Sequence, residues 1–183
     1  LGFESPLELA SGISSDAGTL PSTQTLQNAR ARANFSFGQG ETTVSPLQLA
    51  AAVNAIAAGG VYTAPRLVYG YADTNLDIEE TEPHEGYKVM EVTTANRLRA
   101  YMESTARYGT AMRGAPQNCT SGIKTGTAQT GVYDENGSEI LNYWYAGYIC
   151  DAEETPVYTI VILEESAGES HTAEAFRKIG ETL

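Results

Sequence analysis

Apolar and polar positions divide the chain into a loop-rich start, two patterned helices, three β-like stretches and a closing helix. Residues 1–40 are rich in Gly, Ser and Pro and keep no period, which predicts loops and short turns. A sharp helix start follows. Ser45 stands as N-cap, Pro46 takes the first helical position, and Gln48 lies three residues after the cap, a capping box with proline at N1. From Leu47 to Ala58 the body is apolar nearly all round, so this helix is expected to be buried, and Gly59-Gly60 should end it. Val61–Val68 reads as a short β-like stretch in which Pro65 favours an edge or a strand end. Glu80–Glu85 reads as a polar loop.

A second helix is predicted from about Thr94 to Arg107, with Leu98, Tyr101 and Met102 on one face and Gly109 just past its end. The β-like stretches after it are about Ser121–Gln129, Asn142–Cys150 and Val157–Leu163. The last is apolar on both faces, which predicts a central strand. Asp134–Gly137 joins the first two and contains Asn-Gly, a strong hairpin signal. A closing helix is expected from Thr172, with Ala173, Phe176, Ile179 and Leu183 spaced for one apolar face. No internal repeat is visible. The predicted class is α+β: an antiparallel sheet packed with helices in one domain, or a large piece of one.

Composition narrows the function. Of 183 residues 42% are hydrophobic and eleven are Tyr, enough for a substantial core. The formal net charge is −12 with only 11 Lys+Arg, scattered singly or in pairs, which argues against a nucleic-acid partner. Acidic residues bunch at 77–82, 151–154 and 164–165, the pattern of solvated loops. Cys119, Cys150, His84 and His171 are dispersed, so no metal site is expected, and no cofactor. No run of 18 apolar residues exists and no basic leader precedes a short apolar stretch. The chain starts with Leu1 rather than Met, and reads as a soluble piece of something longer.

The sharpest chemical feature is Lys124-Thr125-Gly126-Thr127 in the first β-like stretch. Alternation on a strand puts Lys124 and Gly126 on one face, a positive charge beside backbone that a ligand can approach closely. Thr125 and Thr127 add hydroxyl donors, and an edge-strand N–H can donate to an oxyanion. This suits a peptide ending in a carboxylate, held by main-chain pairing. Alone, so short a motif is as well explained as strand surface.

Context changes the weight. Gly38-Gln39-Gly40-Glu41, Thr43–Ala50 and Asn54–Gly60 resemble the segment that penicillin-binding proteins carry upstream of their Lys-Thr-Gly strand. Lys124–Gln129 looks like that strand, Tyr143–Tyr148 is similar to the aromatic strand after it, and Val157–Glu164 with the final helix resembles the domain's end. Leu1-Gly2-Phe3 and Gly18–Pro21 look like its approach loops, so the resemblance spans essentially all 183 residues.

The resemblance implies a D,D-transpeptidase that cross-links peptidoglycan stem peptides ending in D-Ala-D-Ala through an acyl-serine, and that β-lactams acylate. It implies roles for Lys124 in proton transfer and substrate charge, for Thr125, Gly126 and Thr127 in binding the terminal carboxylate, and for the Thr127 backbone N–H as an oxyanion donor. It also implies work at the extracytoplasmic face of the bacterial membrane, with an anchor outside this chain. Ile123 stands where many relatives have a small residue.

Two family motifs precede Lys-Thr-Gly: Ser-x-x-Lys and then Ser-x-Asn. No Ser-x-Asn occurs here, and the literal Ser121-Gly122-Ile123-Lys124 is set aside because positions three apart on a strand point to opposite faces. Residues 1–183 are therefore expected to be the C-terminal part of a single penicillin-binding transpeptidase domain. The nucleophile lies upstream, this chain alone is inactive, and its partner is the missing N-terminal half or a second copy. A β-lactam sensor domain, and a D,D-carboxypeptidase or serine β-lactamase, are the alternatives. The compartment would permit a Cys119–Cys150 disulfide. A hairpin centred between Asp134 and Glu135 puts the two opposite each other, whereas a two-residue Asn136-Gly137 turn separates them.

Overall fold

A computed structural model describes residues 2–166 and 168–183. In chain order the elements are β1 (Glu8–Ala10), β2 (Ile13–Ser14), α1 (Ala29–Ser36), α2 (Pro46–Ala57), β3 (Val61–Tyr62), β4 (Gly70–Ala72), β5 (Ile78–Glu80) and β6 (Tyr87–Lys88). Then come α3 (Val92–Tyr108), β7 (Ser121–Tyr133), β8 (Glu139–Cys150), β9 (Pro156–Ser166) and α4 (Thr172–Thr182). The centre is an antiparallel sheet in the order β7-β8-β9, so the architecture is α+β as expected.

One face of the sheet (Ala146, Tyr148, Cys150) packs on Val53 and Ala57 of α2 and Met102 of α3. The other face (Ile123, Tyr145, Ile149) packs on Phe176 of α4 and Ala106 of α3. The helix α3 therefore straddles the β7 side of the sheet. On the far side of α2, Ala51 and Ala55 meet Leu7 and Tyr62.

The α2 start has the expected chemistry: Ser45 Oγ accepts from Gln48 N–H, and Gln48 Oε1 accepts from Ser45 N–H. Gln48 does more than cap. Its side chain is fully buried, and Nε2 donates to the carbonyls of Gly2, Ser5 and Ala17, tying the N-terminal segment to the helix.

Several local expectations shift. The helix α1 lies inside the stretch expected to be loops. None of its residues is buried, and it is held by Asn28 Oδ1, which accepts from the N–H groups of Arg30 and Ala31. A capped, polar helix has no apolar stripe to read. Of Val61–Val68 only Val61–Tyr62 is strand, paired with Tyr87-Lys88; Pro65 follows closely and has no N–H for a ladder. On α4 the buried residues are Thr172, Phe176 and Gly180, whereas Ile179 and Leu183 are exposed. A Cβ on Gly180 would press on Pro116 and on Ile149 Cδ1 at 3.0 Å, so close approach selects glycine there. The strand β9 has both apolar faces covered, one by α2 and the other by α4, and among the described residues it is an edge of the sheet, as expected for Val157–Leu163 if its second neighbour lies outside this chain.

The β7–β8 turn is not the two-residue Asn-Gly type. Gly137 N–H donates to Asp134 C=O, Asp134 N–H donates to Ser138 C=O, and Gly137 has φ +80°, the pattern of a turn centred on Glu135-Asn136 followed by a glycine bulge. With a further register shift between Gln129 and Tyr133, this sets Ser121 against Ile149 and Thr120 against Cys150. Cys119 is thus one residue out of register with Cys150 and on the opposite face. Cys119 borders the α4-side core, Cys150 sits in the α2-side core, and both are free thiols.

Candidate active site

The four motif residues lie mid-way along β7, an edge strand whose partner β8 sets their directions. Lys124 stands opposite Ala146 and Gly126 opposite Trp144, so both share the sheet face that carries α2. Thr125 stands opposite Tyr145, on the α4 side. Ser121 opposes Ile149 on that same side, facing away from Lys124.

Beneath Lys124 runs an apolar groove of about 510 Å³ between α2, α3 and the sheet. Leu49, Val53 and Ile56 form one wall and Leu98, Tyr101 and Met102 the other. The face predicted for the second helix is therefore the groove wall, and Tyr101 remains 62% exposed because none of the described residues covers it. Lys124 is the one charged residue lining the groove, and no serine, cysteine, histidine or carboxylate lines it among the described residues. A larger depression of about 840 Å³ lies beside Asp151, Glu154 and the α4 end, but it offers no cation to an anionic ligand.

Backbone directions follow from the ladder. Cys150 N–H donates to Thr120 C=O, so even-numbered residues of β7 bond to β8 through Ala128, and Thr125 and Thr127 point their backbone groups outward. Both outward carbonyls have side-chain donors: Lys124 Nζ on Thr125 C=O, and Gln39 Nε2 on Thr127 C=O at 3.0 Å. The outward N–H groups of Thr125 and Thr127 have no partner among the described residues. The Thr125 hydroxyl lies 2.8 Å from that of Thr110, in the loop after α3. Gly126 is exposed, and a Cβ there would meet nothing nearer than Trp144 Cβ at 3.5 Å, so its own packing does not require glycine.

The strand thus brings together the cation, two free N–H donors and an uncrowded glycine that the motif suggested. It adds Gln39, Thr110 and Tyr145, to which motif reading gave no role of their own. For Gln39 a signal existed: one amide held between Gly38 at φ +82° and Gly40 at φ +95°, a backbone shaped to present it. Ile123 is fully buried in the α4-side core, which accounts for its size.

Residues 10–181 match the family model for the penicillin-binding protein transpeptidase domain. Penicillin-binding protein 1F of Bacillus subtilis is 30% identical over 114 residues, 62% of this chain and 15% of that protein. Among solved structures, the D,D-transpeptidase domain of a peptidoglycan glycosyltransferase from Eggerthella lenta superposes with TM-score 0.78 at 21% identity, covering 99% of this chain and 45% of that one. Penicillin-binding protein A of Mycobacterium tuberculosis, as its imipenem acyl-enzyme complex, superposes with TM-score 0.78 at 20% identity, covering 99% of this chain and 39% of that one. The chain therefore spans under half the length of each of these relatives. With the family model matched over nearly the whole chain and the fold shared with these solved structures, this chain belongs to the penicillin-binding protein transpeptidase domain family.

Proposed function

We propose that the chain carries the Lys-Thr-Gly side of a D,D-transpeptidase site and forms the C-terminal part of one such domain. The observation that carries this reading is the open edge of β7: Thr125 and Thr127 N–H groups unpartnered among the described residues, beside Lys124 and above an apolar groove that no described serine or cysteine lines. The serine would come from the part of the domain that precedes this chain, packed into the groove so that its hydroxyl reaches Lys124. Leu49, Ile56, Leu98 and Tyr101 suit that contact.

In the reaction the serine Oγ bonds to the carbonyl carbon of the penultimate D-Ala, and its proton passes toward the leaving amine with Lys124 assisting. The Thr127 N–H stabilises the oxyanion, worth roughly 10²–10³ in rate for such a donor. Collapse breaks the peptide bond and releases D-Ala. An amine of a second stem peptide then attacks the ester, forming the cross-link and returning the proton to the serine. Thr125 and Thr127 hold the terminal carboxylate, and β-lactams enter as substrate mimics. The work site is the extracytoplasmic side of the membrane, with an anchor outside this chain; no helix described here is long and apolar enough to cross a bilayer.

Labelling by a fluorescent penicillin tests the reading. The expected result is labelling of the longer protein at a serine outside residues 1–183 and none of this chain alone. Label on Ser121, or no label on either, would overturn it. Sedimentation tests the partner: β9 presents a bare edge, Val-Tyr-Thr-Ile-Val-Ile-Leu without charge or proline, so this chain alone should self-associate or bind the missing half. A monodisperse monomer would contradict that.

A further inference from the structure

The contact between Gln39 and Thr127 joins residues 88 apart in sequence and occupies a group that edge binding needs. A peptide that adds to an edge strand exchanges both an N–H and a C=O with each outward residue it meets. On β7 the N–H of Thr127 is open, but its carbonyl is already taken by the Gln39 carboxamide. That carboxamide is chemically an amide N–H donor at 3.0 Å, the same kind of group a bound peptide would bring. Its reach is fixed from behind, because Gln39 N–H donates to Asn34 C=O at the end of α1. Displacing it needs only the Gln39 side chain to turn, while the backbone stays held by Asn34.

We propose that Gln39 is a placeholder for the ligand's amide, a specificity-determining residue that a ligand displaces by offering its own N–H to the Thr127 carbonyl. This rests on the transpeptidase reading. A ligand with a correctly placed N–H exchanges one hydrogen bond for another. A ligand without one either leaves Gln39 in place or leaves the carbonyl bare. Removing Gln39 therefore favours ligands that carry the N–H, because they no longer compete with an internal donor. The expected gain is about 2- to 10-fold, the effect of one neutral hydrogen bond.

The experiment compares second-order acylation rates of the full-length protein by two β-lactams, one with an acylamino substituent and one with a hydroxyalkyl substituent in its place. In Gln39→Ala the rate ratio should move toward the acylamino compound by about 2- to 10-fold. Gln39→Glu keeps the length, cannot donate, and should move the ratio the same way, its added charge acting on both compounds alike. A ratio unchanged in both variants, or moved toward the hydroxyalkyl compound, would overturn the inference. Equal acceleration of both compounds would make Gln39 a steric block and overturn it too. If wild type is labelled by neither, the transpeptidase reading fails, and the inference with it.

Discussion

The hydroxyl of Tyr145 donates to the carbonyl of Ala111 at 2.5 Å and accepts the N–H of Gly114 at 3.1 Å. This buried phenol, whose ionisation burial pushes above the usual range, fastens the loop after α3 to the sheet directly opposite Thr125. The same loop carries Thr110, whose hydroxyl meets that of Thr125. Tyr145→Phe should therefore cost about 1–3 kcal/mol, the penalty for buried backbone groups left without a partner. Urea unfolding of wild type and variant measures it, and an unchanged midpoint would show that water replaces the phenol.

Lys124→Ala should slow acylation of the full-length protein by roughly 10²–10³, the usual cost of one preorganised electrostatic group. The side chain is exposed, so folding should be unaffected. Stopped-flow acylation and thermal unfolding separate the two effects. Equal acylation rates would reduce the lysine to strand surface.

Gly122 and Gly126 share a face of β7 but should respond oppositely to alanine. A Cβ on Gly122 would be driven into the ring of Tyr148, which is fully buried, whereas one on Gly126 meets only Trp144 Cβ at 3.5 Å. Gly122→Ala should destabilise by about 1–3 kcal/mol, as overpacking does. Gly126→Ala should fold like wild type yet acylate more slowly, because its methyl would stand where the ligand comes close. Destabilisation by Gly126→Ala with normal acylation would reverse the assignment.

Glu164 and His171 tie the end of β9 to the start of α4. Glu164 accepts the His171 backbone N–H at 2.6 Å, and its other oxygen lies 3.0 Å from His171 Nδ1. The hydrogen bond to Glu164, then its charge, raises the His171 pKa above its ordinary 6.5. Hydrogen bonds from the His171 ring and backbone lower that of Glu164 below its ordinary 4.5. The histidine's share of stability is complete below pH 6.5 and is lost as pH rises through its raised value. The glutamate's share is complete above pH 4.5 and is lost as pH falls through its lowered value. The link should therefore be strongest between pH 4.5 and 6.5, where both shares are complete. NMR titration of the His171 ring checks it, with a midpoint above 6.5 that drops in Glu164→Gln. A midpoint at or below 6.5 in wild type would contradict the prediction.

The sequence by itself determined the features that depend on neighbours along the chain. Ser45, Pro46 and Gln48 specify the start of α2 by chemistry complete within four positions. The β-rich runs announce β7, β8 and β9, and alternation puts Lys124 and Gly126 on one face without knowledge of the partner strand. Only the tertiary structure decided what depends on distant residues. Whether Cys150 faces Cys119 or Thr120 turns on one bulged glycine, Gly137, and on the register shift after Gln129. A single-residue slip sends a side chain to the other face, and the residues near the cysteines carry no trace of it. Likewise the stripe on α4 runs through Gly180 rather than Ile179, because Pro116 and Ile149 leave no room for a larger side chain there. The Gln39 amide reaches Thr127 only because α1 and β7, far apart in the chain, end beside each other in space.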